Sequence, residues 1–209
     1  MRAMDPKLLV AAVILVFAAD LGLQLFQRKK KNDIFKKLSA CISKRDFESF
    51  EKLIDDDQTK RLFPIYNRNF MKLNEAFMKD DRKAIKEAFE SFSGLRMNKM
   101  QKEALYKRGF YYYLSAKDKA NTKEYYDLLL ELGVPDEEMI RVMYDTYIEK
   151  GYAYLERILE ECGKAEGDDK MPYYALLADM YRNKGEEEKA KEYEGMIAEA
   201  GDQIWKGAA

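Results

Sequence analysis

Two patterns of apolar residues divide this chain. The first is a run without polar interruption, LLVAAVILVFAA from Leu8 to Ala19, followed by Asp20 and the apolar-rich stretch LGLQLF to Phe26. Asp5 and Pro6 read as a helix start, an acidic cap with proline at the first helical position. A helix over 6–27 is about 33 Å long at ~1.5 Å per residue, a match to the ~30 Å hydrocarbon core of a bilayer. It stops at four consecutive cations, Arg28 to Lys31. The pattern predicts a single N-terminal transmembrane helix with a basic flank, over 1–31. A cleaved signal would need small residues before the cut, and Phe17-Ala18-Ala19 puts a bulky one there. A buried soluble helix leaves the basic stop unexplained.

Arg2 and Lys7 precede the span, whereas Arg28–Lys31 with Lys36 and Lys37 follow it. The positive-inside rule then places the C-terminal domain in the cytoplasm. Asp20 is costly inside a span. With Gln24, Gln27 and Lys31 it forms one polar stripe on the lower half of the helix. Two readings stand: the stripe lies near the interface and continues as an amphipathic helix, or Asp20 and Gln24 bond to a partner span or a second copy.

The second pattern begins near residue 32, where amphipathic segments alternate with polar turns and a 34-residue period emerges. Tyr181 is followed by Gly185 and Ala190, and 34 residues upstream stand Tyr147 and Gly151. A further 34 upstream is Tyr113. Phe50 precedes Ala84 by the same interval, in a frame shifted by about four residues near Asp118–Thr122. The pattern predicts five helix pairs, starting near Asp33, Pro64, Lys99, Asp136 and Met171. Pro64, Pro135 and Pro172 sit at or just before first helices, where a missing N–H costs little. Gly151 and Gly185 read as the turn residues closing first helices.

On Tyr181, Gly185, Ala190 and Lys83-Ala84-Ile85, the region Asp33–Gly201 resembles the tetratricopeptide repeat family. Cys41 and Glu156 depart from that family's pattern. The resemblance implies an all-α protein, a right-handed superhelical solenoid over 32–201, followed by a capping tail over 202–209 in which Trp205 covers the exposed end. It also implies a concave groove lined by first helices that binds peptide segments. By the repeat register Tyr113 packs inside and Tyr111 points to that groove, with Lys107 and Arg108 one turn earlier. Tyr66, Asn69, Arg141 and Asp145 would line the same groove. A tyrosine with two cations suits an acidic or carboxylate-ended segment.

Composition narrows the chemistry. Hydrophobic residues at 47% beside charged residues at 36% describe a folded protein rather than a disordered one. Four prolines and eleven glycines leave little room for hairpins. With no histidine, Ser-His-Asp and Cys-His catalysis and histidine metal sites are removed together, and Cys41 and Cys162 alone make no familiar zinc site. No phosphate loop or nucleophile elbow is present, so no enzyme activity, cofactor or metal is expected. The net charge of −1 favours no polyanion, although Arg28–Arg45 is basic and the chain beyond Gly151 acidic. The sequence therefore leads to a membrane-anchored, non-catalytic scaffold that binds a protein or peptide partner, with no nucleic acid. Two alternatives stay open. One is an extracytoplasmic repeat protein whose span is reversed or cleaved. The other is a self-assembling component in which the acidic end of one copy meets the basic end of another.

Overall fold

The computed structural model describes the backbone of residues 26–207 and the side chains of residues 26–200. The span expected over 6–27, with Asp20 and Gln24, lies outside the described residues apart from its last two positions. So does the side chain of Trp205. Among the described residues, no helix is long and apolar enough to cross a membrane. Every regular element described is helical.

The chain divides into two compact units at Met97 and Asn98. In the first, a helix over 26–43 (α1) is followed by α2 (Phe47–Ile54), α3 (Asp57–Leu62), α4 (Ile65–Lys79) and α5 (Arg82–Glu90). Ile34 and Leu38 of α1 bury against Phe50, Ile54 and Phe63. α4 clasps α5, with Leu73 and Ile85 buried and the Phe77 ring edge-on to Phe89 at 6.1 Å. The second unit holds α6 (Lys99–Ser115), α7 (Lys119–Leu132), α8 (Glu137–Tyr147), α9 (Leu155–Lys164), a 3-10 turn (Gly167–Lys170), α10 (Met171–Lys184) and α11 (Glu187–Gly207). α6 packs on α7, α8 on α7, and α10 on α8, α9 and α11. Val142, Ile158, Leu177 and Met180 are fully buried where α8, α9 and α10 meet. Each such side chain contributes about 1.5–3 kcal/mol on leaving water.

Five of the connections between helices (α1–α2, α4–α5, α6–α7, α8–α9 and α10–α11) each pass through one left-handed residue: Arg45, Asp80, Lys117, Lys150 and Gly185. These residues stand 35, 37, 33 and 35 apart, near the 34-residue spacing of the tyrosines. At four of the five the N–H groups of the turn reach back to the last carbonyls of the first helix. Asp46 donates to Cys41 at 2.8 Å, Asp81 to Ala76 at 3.3 Å, Asp118 to Tyr113 at 2.9 Å and Glu186 to Tyr181 at 2.9 Å. This satisfies carbonyls that a helix end leaves orphaned. The same acidic residue then opens the second helix. Asp46 accepts from Ser49 N–H, Asp81 from Lys83 and Ala84 N–H, and Asp118 from Asn121 N–H. One residue ends a helix and its neighbour starts the next.

α4, α6, α8 and α10 begin within one residue of the predicted Pro64, Lys99, Asp136 and Met171, whereas the predicted Asp33 lies inside α1. α1 already covers residue 26 and runs unbroken through 31 and 32, where the sequence pattern places the end of the anchor. The acidic run Asp55–Asp57 starts a helix: Asp56 caps α3, accepting from Gln58 N–H. Gly201, read as the start of a capping turn, lies within α11, since a single glycine costs a helix only about 1 kcal/mol. At the fourth turn the left-handed residue is Lys150 rather than Gly151. Gly151 is demanded instead by the Asp145 carboxylate, which sits where any Cβ would be.

The recurring tyrosines are the seams of the second unit. Tyr113 of α6 stacks on Tyr125 of α7 at 5.6 Å, and Tyr181 of α10 stacks on Tyr193 of α11 at 5.6 Å, with the same offset of twelve residues. In the intervening pair that offset from Tyr147 falls on Leu159, which packs on the same core as Tyr147. Tyr126 also stacks on Tyr144 across α7 and α8, at 4.1 Å.

Candidate functional site

One face of α8 carries Met139, Met143 and Tyr147 at intervals of four, and each packs on the core with one side only. α6 contributes Tyr111, and α10 contributes Pro172, Tyr173 and Leu176. Together with Ala165 and Asp169 they line a groove of about 630 Å³ within the second unit. First helices supply most of this lining. The surface is apolar and aromatic, with methionines that adapt to irregular partners.

The loop from α8 to α9 fixes the groove's lower end. Gly151 N–H donates to Asp145 O at 2.8 Å, and Ala153 N–H donates to the Asp145 carboxylate at 3.2 Å. Asn183 of α10 donates through Nδ2 to the carbonyls of Thr146 and Gly151, at 2.8 and 3.0 Å. The Tyr147 hydroxyl bonds to Asp179, and burial together with that carboxylate pushes its pKa up to about 12. Asp179 also accepts from Arg182 at 2.8 Å, and Arg182 reaches Glu194 of α11 at 2.5 Å. The groove wall is thereby tied through α10 to the end of the chain's last helix pair.

Of the residues singled out from sequence, Tyr111 lines this groove and is 40% exposed. Burial, then the nearby Asp136 charge, raises its pKa. Lys107 is held between Asp136 at 2.7 Å and Glu103 at 2.8 Å. Burial lowers the Lys107 pKa, but these two carboxylates outweigh it and leave it raised. Arg141 is engaged by Glu137 at 2.7 Å. Arg108 is exposed and does not line the groove. Asp145 belongs to the α8–α9 loop described above. The positive clamp for a carboxylate is therefore largely neutralised from within the fold, and what faces the groove is apolar.

Tyr66 and Asn69 lie in the first unit. Tyr66 is half-buried against Phe92 at 5.5 Å and Phe70 at 5.8 Å, and burial raises its pKa. Asn69 Nδ2 donates to Ser91 O at 2.8 Å, closing the end of α5. Asn69 also borders a polar cleft of about 320 Å³. There Glu75, 3% exposed, meets Lys79 at 2.5 Å, and burial raises its pKa despite that cation.

Met139, Met143 and Tyr173 were not singled out by sequence reasoning. The signal for the two methionines was the i, i+4, i+8 stripe that they form with Tyr147 on α8, while Tyr173 on α10 had none. Among the described residues no group of three or more histidine, cysteine or acidic residues is placed to hold a metal. Cys162 is buried, which raises its thiol pKa, and Cys41 is partly buried; both are free. No protein-family model, curated protein or solved structure matches this chain.

Proposed function

We propose that this chain is a non-catalytic, membrane-anchored helical-repeat adaptor whose second unit receives an apolar protein segment in the groove between α6, α8 and α10. The helix pairs of that unit stack in the right-handed manner of tetratricopeptide repeats. The apolar run at 8–19 anchors the chain, and the basic residues that follow keep the repeats on the cytoplasmic side. The observation that carries the reading is the Met139–Met143–Tyr147 stripe, with Tyr111 and Tyr173 facing it across an open groove. Methionine gives an adaptable contact area and tyrosine a large, stiff one, a composition suited to surfaces that accept helical or extended peptides.

A photo-crosslinking residue placed at Met139 or Tyr111 of the full chain in its native membrane tests this. Discrete adducts at both positions, and none at the exposed Lys123 on α7, are the expected result. Adducts at every position alike, or at Lys123 only, would remove the groove as the binding surface.

A further inference from the structure

The helix at the start of the described residues gathers exposed cations on one face. Lys52, Lys72, Lys79, Lys107, Lys123 and Lys164 each lie within 4 Å of a carboxylate. Among the described residues, none of Arg28, Lys29, Lys36 and Lys37 is paired in this way. They sit on one helix, α1, whose opposite face buries Ile34 and Leu38. Lys29 and Lys36 are two turns apart on the outward face, with Lys37 and Arg28 flanking that stripe. All four are exposed. One aromatic ring borders them, Phe26 at 55% exposure with the Lys30 ammonium 4.8 Å over it, whereas Phe35 lies on the other side of α1 with Leu38 and Ile42.

We propose that this outward face of α1 binds the anionic headgroups of a phospholipid surface. Unpaired cations beside the exposed Phe26 suit an interface that is charged outside and apolar beneath. A nucleic-acid backbone would engage the cations but give the Phe26 ring no apolar phase to enter. The inference rests on the membrane reading above only in requiring a bilayer near α1. Lys29 and Lys36 are about 10 Å apart along the helix, and the surface potential decays over ~8 Å at physiological salt. Both are held by the surface only when α1 lies along it. A helix standing upright on the membrane would leave Lys36 and Lys37 beyond reach.

The test uses the full chain with vesicles of phosphatidylcholine alone or with roughly one-third phosphatidylserine. Lysines are labelled with an amine-reactive reagent and read by peptide mass spectrometry. Lys29, Lys36 and Lys37 are expected to be protected several-fold in the anionic vesicles, and to regain labelling in high salt, while Lys52 is unchanged. In competition between the two vesicle types an apolar anchor contributes equally to both and cancels. The combined Lys29→Gln, Lys36→Gln and Lys37→Gln variant should lower the preference for anionic vesicles on the order of a hundredfold, about fivefold per cation. Equal labelling in both lipids, protection that stops short of Lys36, protection already present without vesicles (a second copy), or equal protection by a single-stranded RNA would each overturn the proposal. Resistance to alkaline extraction from neutral vesicles reports the anchor separately, so the two readings fail independently.

Discussion

Two glycines in helices show how little the residue type alone conveys. A Cβ on Gly109 of α6 would stand 2.5–2.6 Å from three atoms of the Tyr125 ring, whereas one on Gly195 of α11 would meet nothing within 4 Å. The Tyr125 ring cannot step aside, because it stacks on Tyr113 at 5.6 Å and leans on Tyr106 at 6.3 Å. Alanine gains ~1 kcal/mol of helix propensity at either position, and overpacking costs about 1–3 kcal/mol only at the first. Gly195→Ala should therefore stabilise the protein by up to about 1 kcal/mol, and Gly109→Ala should destabilise it by up to about 2 kcal/mol. Urea midpoints at constant slope measure both. A Gly109→Ala variant at least as stable as the parent would mean that α6 and α7 are not in van der Waals contact along this seam.

At the scale of elements, the helix starts at Ile65, Lys99, Glu137 and Met171 were legible because amphipathic segments alternate with polar turns. The turns between them were not, because four of the five left-handed positions hold Arg45, Asp80, Lys117 and Lys150 rather than glycine. The readable signal was the following residue: Asp46, Asp81 and Asp118 cap the second helices at nearly the repeat interval. Site residues were legible only as far as helix faces reach. Tyr111 was placed by register, but the pairing of Lys107 with Asp136 joins the ends of two different helix pairs and depends on how they pack. The turn makes a paired prediction. Lys117 is exposed and bears the strain that an L-residue meets at positive φ, about 1–2 kcal/mol, partly offset by glycine's greater freedom in the unfolded chain. Lys117→Gly should therefore stabilise by about 0.5–1 kcal/mol, while Asp118→Ala, which frees the Asn121 N–H, should cost about 1 kcal/mol. Chemical denaturation of the two variants in parallel checks the signs; a destabilising Lys117→Gly would show that the lysine makes a contact worth more than the strain.

For the whole molecule, the division at Met97 and Asn98 makes the second unit a candidate for independent folding. The two cores of the second unit draw all their buried residues from beyond Asn98: Phe110, Leu129, Val134 and Ile140 in one, and Val142 through Ala190 in the other. Its first helix also carries its own start signal. The Asn98 side chain accepts from Gln101 N–H at 2.9 Å, and the Gln101 side chain accepts from Asn98 N–H at 3.0 Å. The segment exceeds the ~70–80 residues below which one hydrophobic core rarely suffices. α6 packs on α7, α7 on α8, and α10 on α8, α9 and α11, all beyond Asn98, so removing the residues before it leaves these contacts in place. A fragment of residues 98–209 is therefore expected to fold alone, to unfold in a single cooperative transition, and to keep the Tyr111–Met143–Tyr173 groove intact. Circular dichroism melting with coincident near- and far-ultraviolet transitions tests the first point, since a collapsed but unpacked chain loses the near-ultraviolet signal first. The crosslink at Met139 tests the second: adducts formed by the full chain but lost from a cooperatively folded fragment would place part of the binding surface before Asn98.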